Sequence, residues 1–298
     1  MVRLQNPSTF RLFRDVCGEL AKNMAMGLPP VRKWRIARDR TATSYSLNSE
    51  LRLERYAFQA LRSLHRILGN TKGLRILEIG PGDNIGSGLC LLAAGAASYT
   101  AVERFAPDYS ADSAKAWYRS IQEAWPQTFR DWPWPDDIDW RQFPEAFSRV
   151  RVLPGDIEAL DIADRFDVVC SFQVLEHVKD IGAFARQNAR LLGPGGVAVH
   201  RVDFGPHDCW ERYPDPLTFL RFPDWLWHLM GSNRATPNRH RFHEWNAAFE
   251  NVGLAAAVIA TDAVAEDRVK HSSLAARFRQ MPKESLDIMS AIYVCRAS

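Results

Sequence analysis

The residues with the clearest chemical potential surround a glycine-rich turn. Glu78 precedes the turn Gly80-Pro81-Gly82, which ends an apolar run that starts at Leu74. Such a turn lets a ligand approach bare backbone amide groups. An acid near the end of a buried strand costs free energy unless a partner compensates it. We therefore expect Glu78 to meet a cation or a hydroxyl group of a ligand.

The spacing of the glycines discriminates between two classes of cofactor. Dinucleotide-binding turns follow the pattern Gly-x-Gly-x-x-Gly and close on a pyrophosphate at a helix N-terminus. Here the third glycine comes one residue late, at Gly86, and Glu78 would repel a pyrophosphate. S-Adenosylmethionine carries no phosphate but has a sulfonium and an ammonium group, so an acid beside the turn suits it. The pattern thus favours S-adenosylmethionine, with a nicotinamide cofactor as the alternative.

A second acid follows at the distance that a bound nucleoside requires. The segment from Ser98 to Val102 is predicted to be a strand, and Glu103 ends it, 21 residues after Gly82. An acid at this distance from the glycines, at the carboxyl end of a strand, can accept both ribose hydroxyl groups. We expect Glu103 to bind the ribose of an adenosine.

Together these segments resemble class I S-adenosylmethionine-dependent methyltransferases. The stretch Glu78-Ile79-Gly80-Pro81-Gly82 is similar to their first motif. Phe166-Asp167-Val168-Val169 and Leu175-Glu176-His177-Val178 are similar to a strand and the turn after it in one large branch. The resemblance implies that Asp156 accepts from the adenine amino group and that the backbone of Ile157 reads the ring. It implies that the cofactor is held by Glu78, Gly80, Pro81, Gly82, Glu103, Arg104, Asp156, Ile157, Phe172, Gln173 and His177.

The acceptor is expected beyond the fifth strand of this fold, where three polar residues are closely spaced. His200, Asp203 and His207 follow the apolar run that ends at Val199. Methyl transfer to a hydroxyl group requires a base, and a histidine near neutral pKa is the usual one. We predict His207 as the catalytic base, oriented by Asp203 or Asp208, with His200 as the second choice. His177 and His240 are further candidates.

The same residues, with Cys209, form a set that can ligate a divalent metal. His200, Asp203, His207 and Cys209 are too rich in nitrogen and sulfur for a magnesium site, which needs oxygen ligands. We therefore predict no metal.

A narrower resemblance concerns the acceptor. The His-x-x-Asp-x-x-x-His stretch from His200, a tryptophan-rich helix near Trp225 and the pair Asn238-Arg239 are similar to methyltransferases found with bacterial polysaccharide and glycoside assembly. This resemblance implies O-methylation of a sugar or glycoside hydroxyl in glycan or secondary-metabolite biosynthesis. A tryptophan-rich pocket would suit a sugar, whose apolar face stacks on indole. Two kinds of partner are open for the arginines of this region, namely a phosphate or carboxylate on the acceptor or the many local acids. These arginines are Arg212, Arg234, Arg239 and Arg241. The alternatives are an N- or C-methyltransferase and a cofactor-binding module without turnover.

The elements that must position these residues predict an α/β fold. We expect a Rossmann-like sheet of seven mostly parallel strands with the last strand antiparallel, helices on both faces, an N-terminal helical segment and cap insertions. Residues 1–49 form a basic helical extension, and residues 50–298 form the methyltransferase domain. The insertions 105–149 and 203–245 are predicted to form an acceptor cap. Between the last two strands, residues 262–286 are predicted to be helical.

The basic cluster of the extension, around Trp34, allows two interpretations. One is a membrane-surface or phosphate patch. The favoured one is a solvated helix that packs on the core through its few apolar residues. The cluster comprises Arg32, Lys33, Arg35, Arg38 and Arg40.

Composition excludes several classes of function. The chain has 298 residues, which is enough for one large α/β domain with additions or for two small domains. A net charge of +3 is too small to indicate a nucleic-acid partner. The five cysteines are odd in number and scattered, which favours reduced thiols and a cytoplasmic location. No run is long and apolar enough to span a bilayer. From the resemblance we expect a small-molecule acceptor, and we assign no oligomeric state.

Overall fold

A computed structural model describes residues 8–39, 53–130, 132–143, 148–234, 236–265 and 268–297. Its centre is a seven-stranded sheet with the order β3-β2-β1-β4-β5-β7-β6. The strands are β1 (Arg75–Ile79), β2 (Ser98–Glu103), β3 (Val150–Pro154), β4 (Phe166–Phe172), β5 (Leu192–Asp203), β6 (Leu254–Ala263) and β7 (Ile288–Ala297). β7 runs antiparallel to both of its neighbours, and the pairs from β3 to β5 are parallel. The predicted fold class is confirmed, including the antiparallel last strand.

Helices cover both faces of the sheet, as predicted. The longer ones are α1 (Thr9–Gly27), α2 (Pro29–Asp39), α3 (Gln59–Leu68), α4 (Gly86–Ala93), α5 (Asp112–Thr128), α6 (Ile181–Leu191), α7 (Asp224–Gly231) and α8 (Phe242–Glu250). One face is buried by α3, α4 and α5, through side chains such as Leu61 and Trp117. The other is buried by α6 and α8, through Phe184, Trp245 and Phe249.

The order of the strands places the site. β1 lies between β2 and β4, so the chain winds outward from β1 in both directions. In open α/β sheets a ligand crevice forms at such a switch point, beyond the carboxyl ends of the strands. Most predicted site residues lie at or just after the carboxyl ends of β1 to β5, so this single edge of the sheet gathers them. Glu78 and His200 lie within their strands.

Three local expectations differ from the structure. Residues 262–286 are not one helix: β6 continues to Ala263, and only short helices such as Ala276–Arg279 and Lys283–Asp287 follow among the described residues. The Gly193–Gly196 turn is not a separate loop but lies within β5, where the pairing shifts between Phe166 and Val168. The helix predicted from Glu50 contains a π-helical segment, Glu54–Phe58, before α3, and residues 50–52 lie outside the described residues.

Three of the five tryptophans of the first insertion pack in the core rather than along a crevice. Trp117, Trp125 and Trp140 are buried. Trp125 contacts Phe129 with ring centroids 4.4 Å apart. The physical reason is that α5 lies across the helices of its sheet face and needs large side chains to fill that layer. The aromatic wall expected for a sugar is therefore not provided by these three residues.

The second insertion forms a small core of its own around Trp210, Trp227 and Phe278. α1 packs on it through Leu12, Val16 and Leu20. Residues 1–7 and 40–49 of the predicted extension lie outside the described residues. No helix in the described ranges has the length and hydropathy needed to cross a bilayer.

Candidate active site

The glycine turn after β1 has the conformation that its sequence suggests. Gly80 and Gly82 both adopt left-handed backbone angles, with φ of +70° and +78°. A Cβ atom on Gly80 would lie 2.6 Å from Cγ2 of Val174, so no larger residue fits there without a shift. Nothing lies within 4 Å of the corresponding position on Gly82. The turn therefore leaves open space beside Gly82, on one side of Pro81, for a ligand.

Glu78 does not face a ligand, and the expectation from the sequence is corrected here. Its side chain is buried, and Oε2 accepts hydrogen bonds from the hydroxyl groups of Ser87 and Tyr99, the latter at 2.7 Å. Burial raises the pKa of Glu78 above its ordinary value, and these hydrogen bonds oppose the rise. Hydroxyl groups of the protein thus supply the partners that we expected from a cofactor. Glu78 ties β1 to β2 and to α4 beneath the turn.

Glu103 lies at the carboxyl end of β2, next to the glycine turn. The backbone amide of Gly82 donates to Oε2 at 3.0 Å, and that of Phe105 donates to Oε1 at 2.9 Å. Both carboxylate oxygens are therefore fixed in place and keep a lone pair for a further donor. Burial raises the pKa of Glu103, and the two amides act against the rise. An oriented carboxylate beside open space is a suitable acceptor for a pair of ribose hydroxyl groups.

Arg104 and Asp156 form an ion pair that links the ends of β2 and β3. Asp156 also accepts from the amide of Glu158 at 3.4 Å. Ile157 is buried beside this pair. The structure therefore brings Arg104, Asp156 and Ile157 to the same edge of the sheet as Glu103. An adenine amino group would share Asp156 with the guanidinium.

Gln173 follows β4 in a strained backbone conformation, with φ of +60°. Its side-chain Oε1 accepts from the guanidinium of Arg55 at 3.3 Å. Its backbone amide donates to the backbone carbonyl of Arg201 at 2.9 Å. Phe172 ends the strand just before it. A non-glycine residue in this region costs free energy and persists only where surrounding contacts impose it. The side chain of Gln173 is thereby turned toward Arg55.

The most concentrated polar cluster lies where β4 and β5 end. Nε2 of His207 is 3.7 Å from Oδ2 of Asp203, and Glu176 lies beside both. Burial alone would lower the pKa of His207, but Asp203 outweighs it, so this pKa is raised. For Asp203, burial is outweighed by His207 and by the amide of Gly205, so its pKa is lowered. Burial, followed by the charge of Asp203, raises the pKa of Glu176 to about 8.

His177 lies against this cluster, with its ring centroid 5.3 Å from that of His207. Burial, followed by the charge of His207, lowers the pKa of His177 to about 4. Its Nδ1 is buried and makes no hydrogen bond. Because the His177 ring stays neutral, His207 is the histidine of this pair that takes up a positive charge.

His200 is not an acceptor base, contrary to the second choice from the sequence. Its side chain is fully buried, Nδ1 lies 2.8 Å from the hydroxyl of Ser171, and Nε2 lies 2.9 Å from Oδ1 of Asn188. Its ring stacks on Phe249. Burial lowers the pKa of His200 to about 3. In a strand, alternate residues face opposite sides of the sheet, and the side chain of His200 points under α6 and α8 rather than beyond the strand end.

The metal-ligating set considered from the sequence does not assemble, because His200 lies in the core. The structure instead gathers Glu176, Asp203 and His207, whose ligand atoms all lie within 4.8 Å of one another. Three such groups can hold a cation. They can equally act as a proton-transferring cluster, in which Asp203 orients His207 and Glu176 is protonated near neutral pH.

Three of the four arginines expected to bind an anionic acceptor are engaged by the protein. Arg234 pairs with Glu19 and Asp208. Arg239 pairs with Asp224, and the guanidinium of Arg241 donates to backbone carbonyls. The remaining residue, Arg212, has an exposed side chain. Asp208, the alternative orienting acid, is engaged by Arg234.

Two residues that contact predicted site residues were missing from the site predicted from sequence, namely Glu176 and Arg55. Glu176 was part of a recognised motif, and the acid next to His177 is the signal that points to it. Arg55 lies 118 positions before its partner Gln173 and has no local pattern. Only the fold brings it to the end of β4.

A methyltransferase domain family matches residues 51–259, well over half of the chain. Curated relatives match over short stretches. A ubiquinone biosynthesis O-methyltransferase of Bradyrhizobium sp. (strain ORS 278) is 49% identical over 43 residues, 14% of this chain and 17% of the relative. The corresponding protein of Azorhizobium caulinodans is 41% identical over 56 residues, 18% and 22% of the two chains. The chain thus matches less than a quarter of the length of either relative.

Two solved structures illustrate the similarity in three dimensions. One is a magnesium protoporphyrin IX methyltransferase from Synechocystis PCC 6803 with bound SAH, at 15% identity and a TM-score of 0.46, covering 90% of this chain and 95% of that one. The other is an S-adenosylmethionine-dependent methyltransferase from Mesorhizobium loti, at 19% identity and a TM-score of 0.42, covering 79% and 96%. The family match carries the assignment: this chain belongs to the methyltransferase domain family.

Proposed function

We propose that the protein transfers a methyl group to a hydroxyl oxygen of a small molecule and that His207 removes the hydroxyl proton. The observation that carries this proposal is the His207–Asp203 pair at the carboxyl end of β5, with Nε2 and Oδ2 3.7 Å apart. An amine or carbon nucleophile has less need of such a base.

The donor site of the proposal consists of Gly80, Pro81, Gly82 and Glu103, with Asp156 and Ile157 at the adenine end. Glu103 supports it because two backbone amides fix both of its carboxylate oxygens. Arg104 holds Asp156, while Phe172, Gln173 and His177 lie after the neighbouring strand. S-Adenosylmethionine supplies there an electrophilic methyl group on a sulfonium. The protein has to hold the acceptor oxygen in line with that methyl group and exclude competing orientations.

The proton path uses residues of this chain only. His207 would accept the acceptor's hydroxyl proton while the oxygen bonds to the methyl carbon, and the methyl–sulfur bond of the donor would break to leave a neutral thioether. Asp203 stabilises the resulting imidazolium, which is the same interaction that raises the pKa of His207. His177 stays neutral beside it. Solvent then takes the proton from His207 before the next turnover.

The acceptor class that we propose is a sugar or glycoside of glycan or secondary-metabolite assembly. Its support is the narrower resemblance in the segment from His200 to Arg239, together with a carboxylate and an imidazole that can bind a hydroxyl group. The matched relatives are named for ubiquinone biosynthesis, so a phenolic hydroxyl is the second candidate.

An acceptor panel tests the proposal. The full chain is incubated with methyl-labelled donor and with sugars, glycosides, phenols and amines, and transfer is followed by mass spectrometry. We expect transfer to a hydroxyl oxygen, and loss of that transfer in His207→Ala. Transfer to amines that survives His207→Ala would contradict the proposed role of the base. Binding of S-adenosylhomocysteine without transfer to any acceptor would favour a binding module.

A further inference from the structure

Part of the exposed surface of α1 is an apolar stripe, although the helix already packs on the protein through an adjacent side. Phe10 and Phe13 are 76% and 66% exposed, and Met24 is 74% exposed. At about 100° per residue these side chains, with Cys17 and Ala21, fall within an arc of roughly 80°. The residues that pack inward lie on the adjacent side of the helix, centred roughly 100° away, among them Leu12, Val16 and Leu20.

The neighbouring helices extend this apolar exposure. Seven of the ten large hydrophobic side chains that are exposed in the described ranges lie on α1, on α2, on the residue between them or on α7. Those beyond α1 itself are Leu28, Trp34, Trp225 and Leu229. The side-chain amide of Asn23 donates to the carbonyl of Leu229, so α1 and α7 are in direct contact. A concentration of this kind on a soluble surface marks an interaction site.

The charges on α1 and α2 are mostly positive. Residues 8–39 contain seven lysines and arginines against three acids, a net +4, whereas the whole chain carries +3. The acids of α1 are neutralised on its packed side. Asp15 bonds to Arg14 and Tyr213. Glu19 pairs with Lys22 and Arg234.

On the next helix, Arg32 and Lys33 are exposed next to Trp34. Exposed basic residues therefore flank the apolar stripe of α1 at its C-terminal end. Aromatic and aliphatic side chains bordered by lysines and arginines are the pattern of a helix that lies in a membrane interface.

We propose that α1, with α2 and the exposed side of α7, docks this enzyme on the surface of an anionic lipid bilayer. The apolar stripe would insert at the level of the headgroups, while the basic residues would contact anionic lipids. A second copy of the chain is a poorer occupant, because two faces of the same positive charge repel each other. A nucleic acid would use the cations but would leave Phe10, Phe13 and Met24 without an apolar partner.

Vesicle flotation of the full chain tests the proposal. Phosphatidylcholine vesicles with and without phosphatidylglycerol are compared, at low and at high salt. We expect binding to the vesicles that contain phosphatidylglycerol, weakened by salt and weak without the anionic lipid. Two variants probe the two components: Phe10→Ser with Phe13→Ser and Met24→Ser, and Arg32→Glu with Lys33→Glu. Each should weaken vesicle binding by about tenfold or more.

Matched controls change the same chemistry elsewhere. Ile259→Ser removes an apolar side chain of β6 that is 48% exposed. Lys179→Glu with Arg186→Glu reverses two exposed charges, one just before α6 and one on it. Both controls should float as the parent does, and all variants should keep its affinity for S-adenosylhomocysteine.

Four results would overturn the proposal. They are absence of flotation at low salt, equal binding to vesicles without anionic lipid, equal loss in the controls, and a dimer in solution that the apolar variants convert to a monomer. The last would assign the face to a second copy of the chain.

Discussion

Nε2 of His207 lies 3.7 Å from Oδ2 of Asp203, at the end of the strand that leads into the second insertion. This distance is that of an ion pair rather than of a direct hydrogen bond. Although burial of the imidazole acts in the opposite direction, the nearby carboxylate of Asp203 raises the pKa of His207. The pair is the part of the structure best suited to take a proton from an acceptor.

Replacing His207 by Ala should lower kcat for a hydroxyl acceptor by about 100-fold to 10,000-fold, the usual contribution of a general base. The affinity for S-adenosylhomocysteine should stay within a few-fold of the parent, because the donor site consists of other residues. Steady-state kinetics and calorimetry measure the two quantities separately. His240→Ala is a matched control, since this ring pairs with Glu244. If both histidine variants lose activity equally, His207 has no special role.

The pH dependence of turnover should report the same pair. A base has to be neutral, so kcat/KM should rise with pH through a pKa above the ordinary histidine value. Asp203→Asn removes the charge that raises this pKa and should move the profile to lower pH while lowering the maximal rate. Because Glu176 titrates in the same cluster, the profile yields apparent values for the group as a whole. An unchanged midpoint in Asp203→Asn would contradict the assignment.

Metal removal distinguishes the two uses of Glu176, Asp203 and His207. If His207 acts as a base, dialysis against a chelator should leave the rate of transfer unchanged, and added divalent ions should not raise it. A loss that zinc, manganese or magnesium restores would instead identify the cluster as a metal site.

The buried histidines should make the fold sensitive to acid. The pKa of His200 is about 3 and that of His177 about 4, both below the value near 6.5 expected in an unfolded chain. As the pH falls, these two histidines are protonated in the unfolded chain before they are protonated in the folded one. Their contribution to the free energy of unfolding is therefore complete above about pH 6.5 and is lost as the pH falls toward the folded pKa values. His200 alone accounts for about 3 kcal/mol of unfolding free energy lost between neutral pH and pH 4.

Denaturant unfolding of the parent and of His200→Gln at several pH values measures this loss. Glutamine can still hydrogen-bond to Ser171 or Asn188 but does not titrate, so the variant should show a flatter dependence on pH. An equally steep dependence would show that other groups cause the acid sensitivity.

The sequence predicted the sheet well because strand and turn signals are local. The apolar runs at Ile76 and Val168, the glycine turn after Ile79 and the acid at Glu103 each lie within a few residues of the feature they define. Their order along the chain, combined with the resemblance, was enough to predict seven strands and the antiparallel last one.

The errors arose where partners are distant in sequence. Glu78 was expected to meet a ligand, but Tyr99 reaches it from the neighbouring strand. His200 was expected beyond the strand end, but Asn188 and Ser171 hold it in the core. The pairing of Arg55 with Gln173 gave no signal at all. Which polar group a buried side chain meets depends on register and on side-chain direction, and spacing along the chain does not determine either.

We expect Glu103, beside the glycine turn after β1, to hold the ribose of the methyl donor. Calorimetric titration with S-adenosylhomocysteine measures this, using the parent, Glu103→Ala and the control Asp112→Ala at the start of α5. The parent and Asp112→Ala should bind, Glu103→Ala should bind at least about tenfold more weakly, and NAD should not bind. Undiminished binding by Glu103→Ala, or binding of NAD in place of S-adenosylhomocysteine, would contradict this role of Glu103.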